Sequence, residues 1–351
     1  MSSGSTRYDL DRAGWATLLA DEPAYRVEQV WRGLYTDLAD LAEVTTLPHG
    51  LRGHLVEAAP AALTAVTESH GDNDTTRKWL WRLTSGEAVE TVLMLYPDRA
   101  TVCVSTQAGC AMACSFCATG QAGFDRHLSV GEIVEQVVRA AAAAAPRRVS
   151  NVVFMGMGEP LANFDPTWAA VERIHGAMGV SARSLTISTV GLIPGIRRLA
   201  QAPLPVNLAV SLHAADDELR DSLVPINRRY PIADLVAACV DYFAATGRRV
   251  SFEWAMIAGV NDRDVDARRL AAHAREVGAH VNLIPLNPTP DFGTPGTSRD
   301  GIDRFHRLLR ELGVNATVRR NRGTDIDAAC GQLRARATST PDSSPVELRR
   351  R

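Results

Sequence analysis

The stretch from Val102 to Gly123, VCVSTQAGCAMACSFCATGQAG, holds four of the chain's six cysteines: Cys103, Cys110, Cys114 and Cys117. The last three form a C-x3-C-x2-C triplet, while Cys103 stands apart in the apolar run before it. Three thiols at this spacing can converge on one inorganic centre, and Gly120 and Gly123 let the backbone wrap it closely. A fully capped four-iron cluster needs four thiolates, so three leave one iron open to a small molecule. Structural zinc and ordinary buried thiols are the alternatives. Zinc usually takes a second Cys or His pair, and none accompanies this triplet.

The rest of the composition narrows the setting. With 351 residues, 46% apolar and 22% charged, the chain suits one large α/β domain with a small appendage. No run approaches the roughly 18 apolar residues of a membrane span, and the polar start MSSGSTRYDLDRAG is no secretory leader. A cytoplasmic, monomeric protein with no membrane partner is expected. A net charge of -2 excludes a polycation but not a local basic face. Of 38 basic residues only Lys78 is lysine, which reads as composition bias.

Outward from the triplet, short β-type runs alternate with helical ones. The strands are expected at ATVCVST (from Ala100), NVVFMG (Asn151), SLTIST (Ser184), PVNLAVSL (Pro205), RVSFEWAMI (Arg249) and HVNLIPL (His280). Ser129 and Glu132 form a capping-box pattern before one intervening helix. Six such repeats imply a parallel sheet, open or as an incomplete barrel, since eight strands have no room. Helical spacing marks the chain to about residue 70, and TRKWLWRL and AVETVLML read as strands around a Ser85-Gly86 turn. The expected division is residues 1–75 as a helical domain, which the resemblance described below makes RNA-binding, 76–98 as a β extension, 99–333 as the barrel and its C-terminal loop, and 334–351 as a disordered tail.

In a parallel barrel the reactive groups sit at the carboxyl ends of the strands. Those ends carry the Cys triplet, GMGEP (from Gly156), STVG (Ser188), SLHA (Ser211) and NPTP (Asn287). The triplet after a first strand, followed by GEP, resembles the signature of radical S-adenosylmethionine enzymes. CVSTQAGCAMACSFCATG, VFMGMGEPL, SLHA, NLIPLNP and DIDAACGQL together resemble the RlmN/Cfr family of RNA methyltransferases, over about Tyr25 to Leu333.

That resemblance implies a radical SAM partial (β/α)6 barrel, with Cys110, Cys114 and Cys117 holding a [4Fe-4S] cluster. It implies S-adenosylmethionine, two per turnover, bound near Gly158, Glu159, Ser188, Ser211, Leu212, His213 and Asn287. Taken singly, Ser188 and Ser211 also suit strand-end hydroxyls, and His213 a core histidine. The resemblance makes Cys330 the methyl carrier, Cys103 the resolving thiol that forms a transient disulfide with it, and Glu90 the proton acceptor; Cys239 reads as a packed core thiol. The implied substrates are an adenine of 23S rRNA near the peptidyl-transferase centre and a tRNA anticodon-loop adenine, methylated at C2, with a low-potential electron donor and a thiol reductant as partners. A Cfr-type C8 methyltransferase is the alternative within the family. A noncatalytic RNA-binding protein with a structural cluster is the alternative outside it, but needs neither Cys103, Cys330 nor Glu90.

The target base must leave its stack to reach such a site. Arg26, Arg32, Arg77, Lys78, Arg82, Arg319, Arg320 and Arg322 are candidate phosphate contacts, and Trp79 and Trp81 candidate stacking partners, though on a strand the same pattern equally suits a solvated face opposite a core face.

Overall fold

The computed structural model describes residues 5–289 and 291–333, so the tail expected at 334–351 lies outside the described residues. Three helices lead, α1 (Arg12–Leu18), α2 (Tyr25–Tyr35) and α3 (His49–Ala58). The Asp11 carboxylate caps α1 by accepting from Gly14 N at 2.7 Å. An antiparallel meander follows: β1 (Leu63–Gly71), β2 (Thr76–Leu83) and β3 (Ala88–Leu95). The helical reading to residue 70 is therefore corrected, because Leu63–Gly71 pairs with β2. β1 is an edge strand exposed along most of its length, so it lacks the apolar alternation that marks a half-buried strand. The expected β2–β3 turn forms with Gly86 at φ 107° and Leu83 N donating to Glu87 O at 2.8 Å.

The remaining strands are β4 (Ala100–Cys103), β5 (Gln107–Gly109), β6 (Phe124–His127), β7 (Val149–Phe154), β8 (Leu185–Thr189), β9 (Asn207–Ser211), β10 (Val250–Met256), β11 (His280–Pro285) and β12 (Ala316–Val318). β5 and β6 form a separate hairpin around the Cys triplet. The others join the meander in the order β1-β2-β3-β4-β7-β8-β9-β10-β11-β12, parallel from β4 onward. All six expected parallel strands are present. β12 was not expected: three residues are too few to show a period, and its pairing with β11 defines it.

The helices between them are α4 (Ala118–Ala122), α5 (Val130–Ala143), α6 (Phe164–Met178), α7 (Ile193–Ala200), α8 (Asp217–Leu223), α9 (Ile232–Thr246), α10 (Asp264–Val277) and α11 (Arg299–Glu311). α5 starts at the expected capping box, Ser129 N donating to Glu132 and Glu132 N to Ser129 Oγ. Buried Trp254 of β10 stacks on Phe305 of α11 at 6.1 Å, tying sheet to outer helix. The sheet is strongly curved. Phe154, Ser188, Ser211, Ala255, Ile284 and Arg319, from the carboxyl ends of five strands and the residue after β12, border one cavity. A wider cavity at the other end is bordered by Thr101, Asn151, Thr186, Asn207, Ser251 and His280. Strands of a flat sheet could not share such a lumen, so the architecture is an incomplete barrel with β1 and β12 as its edges.

After β12 the chain returns across that opening. Arg322 donates to Thr75 Oγ1 at 2.8 Å, and Gly323 N to Asp72 Oδ2 at 2.8 Å. Asp72 N in turn donates to Asp325 Oδ2 at 3.1 Å, and Thr76 Oγ1 to Asp72 Oδ2 at 2.7 Å. Gly323, Asp327 and Gly331 adopt positive φ, which lets residues 323–331 fold tightly over the barrel mouth. Asp72→Ala, which removes two of these bonds, is expected to cost about 1–3 kcal/mol in urea denaturation. It should also speed protease cleavage within residues 319–333.

Candidate active site

The Cys triplet lies in the loop between β5 and α4. Cys110 N donates to Gly123 O at 2.6 Å, closing the β5–β6 hairpin, and Cys117 N to Cys114 O at 3.2 Å. Gly120 lets these turns close: a Cβ there would meet Cys114 N at 2.9 Å. All three cysteines border one cavity of about 160 Å³ at the carboxyl ends of the strands. Burial pushes the Cys110 thiol up to about 12 and the Cys114 and Cys117 thiols upward as well. Cys110 also feels Cys117, Cys114 feels both Cys117 and Cys110, and Cys117 feels Cys330. Among the described residues no three metal-binding side chains already surround a single ion. A cluster that takes each thiolate on a different iron does not require them to.

Gly158, Glu159, Ser188, Ser211, His213 and Asn287 border the same cavity. Gly158 has φ 103°, and a Cβ on it would come within 2.6 Å of Gln107 Cβ. Glu159 is fully enclosed; burial raises its carboxyl to about 7 despite hydrogen bonds from Val190 N at 2.8 Å and Leu161 N at 3.0 Å. His213 Nδ1 accepts from Ala255 N at 3.0 Å, so the imidazole is neutral, and its ring meets Phe116 edge-on at 4.7 Å. Leu212 does not border the cavity: its side chain joins the core, and its carbonyl accepts from Arg220 Nε at 3.0 Å.

Cys330 borders this cavity and also a cleft of about 20 Å³ that it shares with Cys103. Its loop is held against the triplet by Ala118 N donating to Gly331 O at 2.8 Å and Thr119 Oγ1 to Leu333 O at 2.6 Å. Asn287 Nδ2 donates to Cys330 O at 3.0 Å. Cys103, paired with Val92 and Val153 at the end of β4, is pushed up to about 12, first by burial and then by Cys330. Arg319 opposes this. Its guanidinium lies in the lumen under the influence of Cys330, Glu253 and Cys103, which hold it firmly protonated. Glu90 on β3 is buried, with its Oε1 3.0 Å from Lys78 Nζ.

A model of the Radical SAM superfamily matches residues 104–271. A probable dual-specificity RNA methyltransferase RlmN of Chloroflexus aurantiacus is 52% identical over 349 residues, covering 94% of this chain and 92% of that protein. One from Frankia alni is 53% identical over 329 residues, covering 90% and 78%. The crystal structure of a radical SAM methyltransferase from Sphaerobacter thermophilus aligns with a TM-score of 0.92 at 51% identity, over 95% of this chain and 100% of that one. The chain belongs to the RlmN family of radical SAM proteins.

Membership in the RlmN family implies a [4Fe-4S] cluster and S-adenosylmethionine. The residues fit both: three thiols, Cys114 buried and Cys110 and Cys117 half-buried, share one cavity, and backbone N–H groups of Met112, Thr119 and Gly120 point at the Cys110 and Cys117 sulfurs. The cavity extends beyond the thiols to the polar strand ends.

Several basic and aromatic candidates point elsewhere than expected. Trp79 and Trp81 are buried and stacked at 5.9 Å, with Trp81 Nε1 donating to Thr91 Oγ1 at 3.0 Å. Strand alternation puts them on the core side, away from any base. Arg319 is in the lumen, Lys78 pairs with Glu90, Arg26 bonds Gln29 and the Thr46 carbonyl, and Arg77 and Arg322 are bonded within the chain. Arg32, Arg82 and Arg320 are exposed. Cys239 is a core thiol, as expected.

Sequence reading missed Arg220, whose only signal is a charge in the helical run DELRDSL. It is fully buried and donates to the carbonyls of Val190 (2.6 Å), Ser211 (3.2 Å) and Leu212 (3.0 Å) and to Asn227 Oδ1 (2.8 Å). Burial lowers it to about 10. It thereby pins the ends of β8 and β9 that border the cavity. Arg220→Met leaves these acceptors unpaired and is expected to cost at least about 3 kcal/mol in urea denaturation.

His213 gives a pH signature. Burial depresses it from 6.5 to about 3, so below 6.5 the unfolded chain binds a proton that the folded chain refuses. The stability it contributes is present above pH 6.5 and is lost as pH falls toward 3. The urea midpoint should therefore fall less steeply between pH 6.5 and 5 in His213→Gln than in the native chain.

Proposed function

We propose that this protein is an RNA methyltransferase that methylates C2 of an adenine in 23S rRNA, near the peptidyl-transferase centre, and of a tRNA anticodon-loop adenine. The observation that carries this reading is the shared cleft of Cys103 and Cys330, which adjoins the cavity of the Cys triplet. The RlmN names of its relatives support RNA as substrate.

The cluster, with S-adenosylmethionine, supplies when bound the methyl group and the radical chemistry that an electron-poor aromatic carbon requires. Cys110, Cys114 and Cys117 would hold the cluster. Gly158, Glu159, Ser188, Ser211, His213 and Asn287 would border S-adenosylmethionine, with Leu212 contributing through its backbone alone. Cys330 carries the carbon as an S-methyl group; that methyl gives up one hydrogen atom to the radical and its carbon bonds to C2, so the RNA becomes joined to the Cys330 sulfur through a methylene. Once that radical adduct has passed one electron to a one-electron acceptor, a role the bound cluster would fill, Glu90 accepts the C2 proton. The Cys103 thiolate then attacks the Cys330 sulfur: the S–S bond forms, the S–C bond breaks, and the released carbon keeps the electron pair and takes a proton. An external thiol reductant reopens the disulfide. Arg319 favours the thiolate that this attack needs.

Cys330→Ala is expected to retain the cluster's visible absorbance and lose RNA methylation. Cys103→Ala should accumulate protein covalently joined to RNA, read as a shifted band on a denaturing gel. Methylation by Cys330→Ala, or prompt release of RNA by Cys103→Ala, would refute these roles.

A further inference from the structure

Lys78 is the only lysine among 38 basic residues. Every other basic residue is arginine. The surroundings of Lys78 supply a reason for the exception. Lys78 Nζ lies 3.0 Å from Glu90 Oε1 and 3.1 Å from the Asp327 carbonyl oxygen. Both side chains are largely enclosed, at 14% and 5% exposure. Asp327 adopts φ 52° three residues before Cys330, inside the loop that returns over the barrel mouth. One nitrogen thus joins the carboxylate on β3 to the loop that carries the reactive sulfur.

We propose that Lys78 is a positioning residue for proton removal from the substrate, its ammonium holding the Glu90 carboxylate against the Cys330 loop in a way that arginine cannot reproduce. The proposal rests on the roles given above to Glu90 and Cys330. The difference between the two cations is geometric. An ammonium is a compact point charge whose three N–H bonds diverge from one atom, so it can serve one carboxylate oxygen and a backbone carbonyl together. A guanidinium spreads its donors over a planar fork that favours bidentate capture of both carboxylate oxygens. In this enclosed space a planar fork cannot serve Glu90 Oε1 and the Asp327 carbonyl from one nitrogen, as the ammonium does. Removing the cation altogether leaves an enclosed carboxylate without its ammonium partner, a state that disfavours its charged form.

The strand register supports this placement. Lys78 faces Val92 across the β2–β3 ladder and Leu80 faces Glu90, so Lys78, Leu80, Glu90 and Val92 share one face. Val92 borders the cleft of Cys103 and Cys330, so that face is the lumen side. Trp79 and Trp81 take the opposite face. Lys78 is therefore removed from the RNA-facing role that the sequence pattern suggested for it.

The test uses the full-length, cluster-loaded protein and an unmodified 23S rRNA fragment, with Lys78→Arg, Lys78→Met, Glu90→Gln and the Lys78→Met/Glu90→Gln double variant. Three quantities are read: S-methyl on Cys330 by mass, the fraction of protein covalently joined to RNA, and the rate of product release. Both Lys78 variants should load Cys330 as the native protein does. They should release product about tenfold or more slowly, a part of the roughly 100- to 10,000-fold that general acid–base catalysis contributes, while the joined species accumulates. Lys78→Met should add nothing to Glu90→Gln, because both act on one step. Native-like release by Lys78→Arg, loss of Cys330 loading in both Lys78 variants, or a full additive effect in the double variant would overturn the proposal. Failure of the underlying reading would appear instead in the native protein, as product formed with no methyl ever on Cys330, and would remove the proposal with it.

Discussion

The arrangement of the site depends on how the chain crosses the open side of its own sheet. A parallel sheet that ends at a three-residue strand cannot close on the meander at its other edge by strand pairing alone. Side chains and backbone turns make the crossing instead: Asp72 anchors Thr76 and Gly323, Arg322 reaches Thr75, and Lys78 reaches Asp327. The same return then docks on the cysteine loop through Gly331 and Leu333. Cys330 is thereby held between two places that matter chemically, the cavity of the triplet and the cleft of Cys103. A closed barrel would have no such loop to lay across its mouth.

Enclosure carries an electrostatic cost that the fold offsets with few charges. Burial alone drives the thiols toward their neutral forms, and Cys103 to about 12, whereas nucleophilic attack and metal ligation both use thiolates. Arg319 supplies positive charge beside Cys103 and Cys330, and Arg220 beside Cys114. Arg220 has a second duty, since its donors satisfy the strand-end carbonyls bordering the cavity. Buried Arg220 is tolerated because its guanidinium finds four acceptors.

What could be read from the sequence follows from what leaves a local trace. The six parallel strands showed themselves as apolar runs, the α5 cap as Ser129 with Glu132, and the β2–β3 turn as Ser85-Gly86. β1 and β12 did not, one because an exposed edge strand lacks alternation and the other because three residues carry no period. The cysteine spacing pointed to the cavity, and GMGEP, SLHA and NPTP to its border. Side-chain direction was harder. Trp79 and Trp81, flanked by basic residues, look like an RNA-binding stripe until the register shows the indoles buried. Arg319 resembles its neighbour Arg320, yet one lies in the lumen and the other is exposed. Arg220 has no motif at all, because its role exists only once the ends of β8 and β9 and the turn at Asn227 meet around it.

The central claim is that the transferred carbon passes through Cys330. It is tested most directly by anaerobic single turnover with methyl-trideuterated S-adenosylmethionine and a 23S rRNA fragment, followed by mass analysis of the nucleosides. To load the labelled methyl, Cys330 must first be freed of any methyl acquired during expression. Transfer through the Cys330 methylene gives 2-methyladenosine that has lost one of the three methyl deuterons. A product that keeps all three would mean direct methyl transfer and would contradict the account.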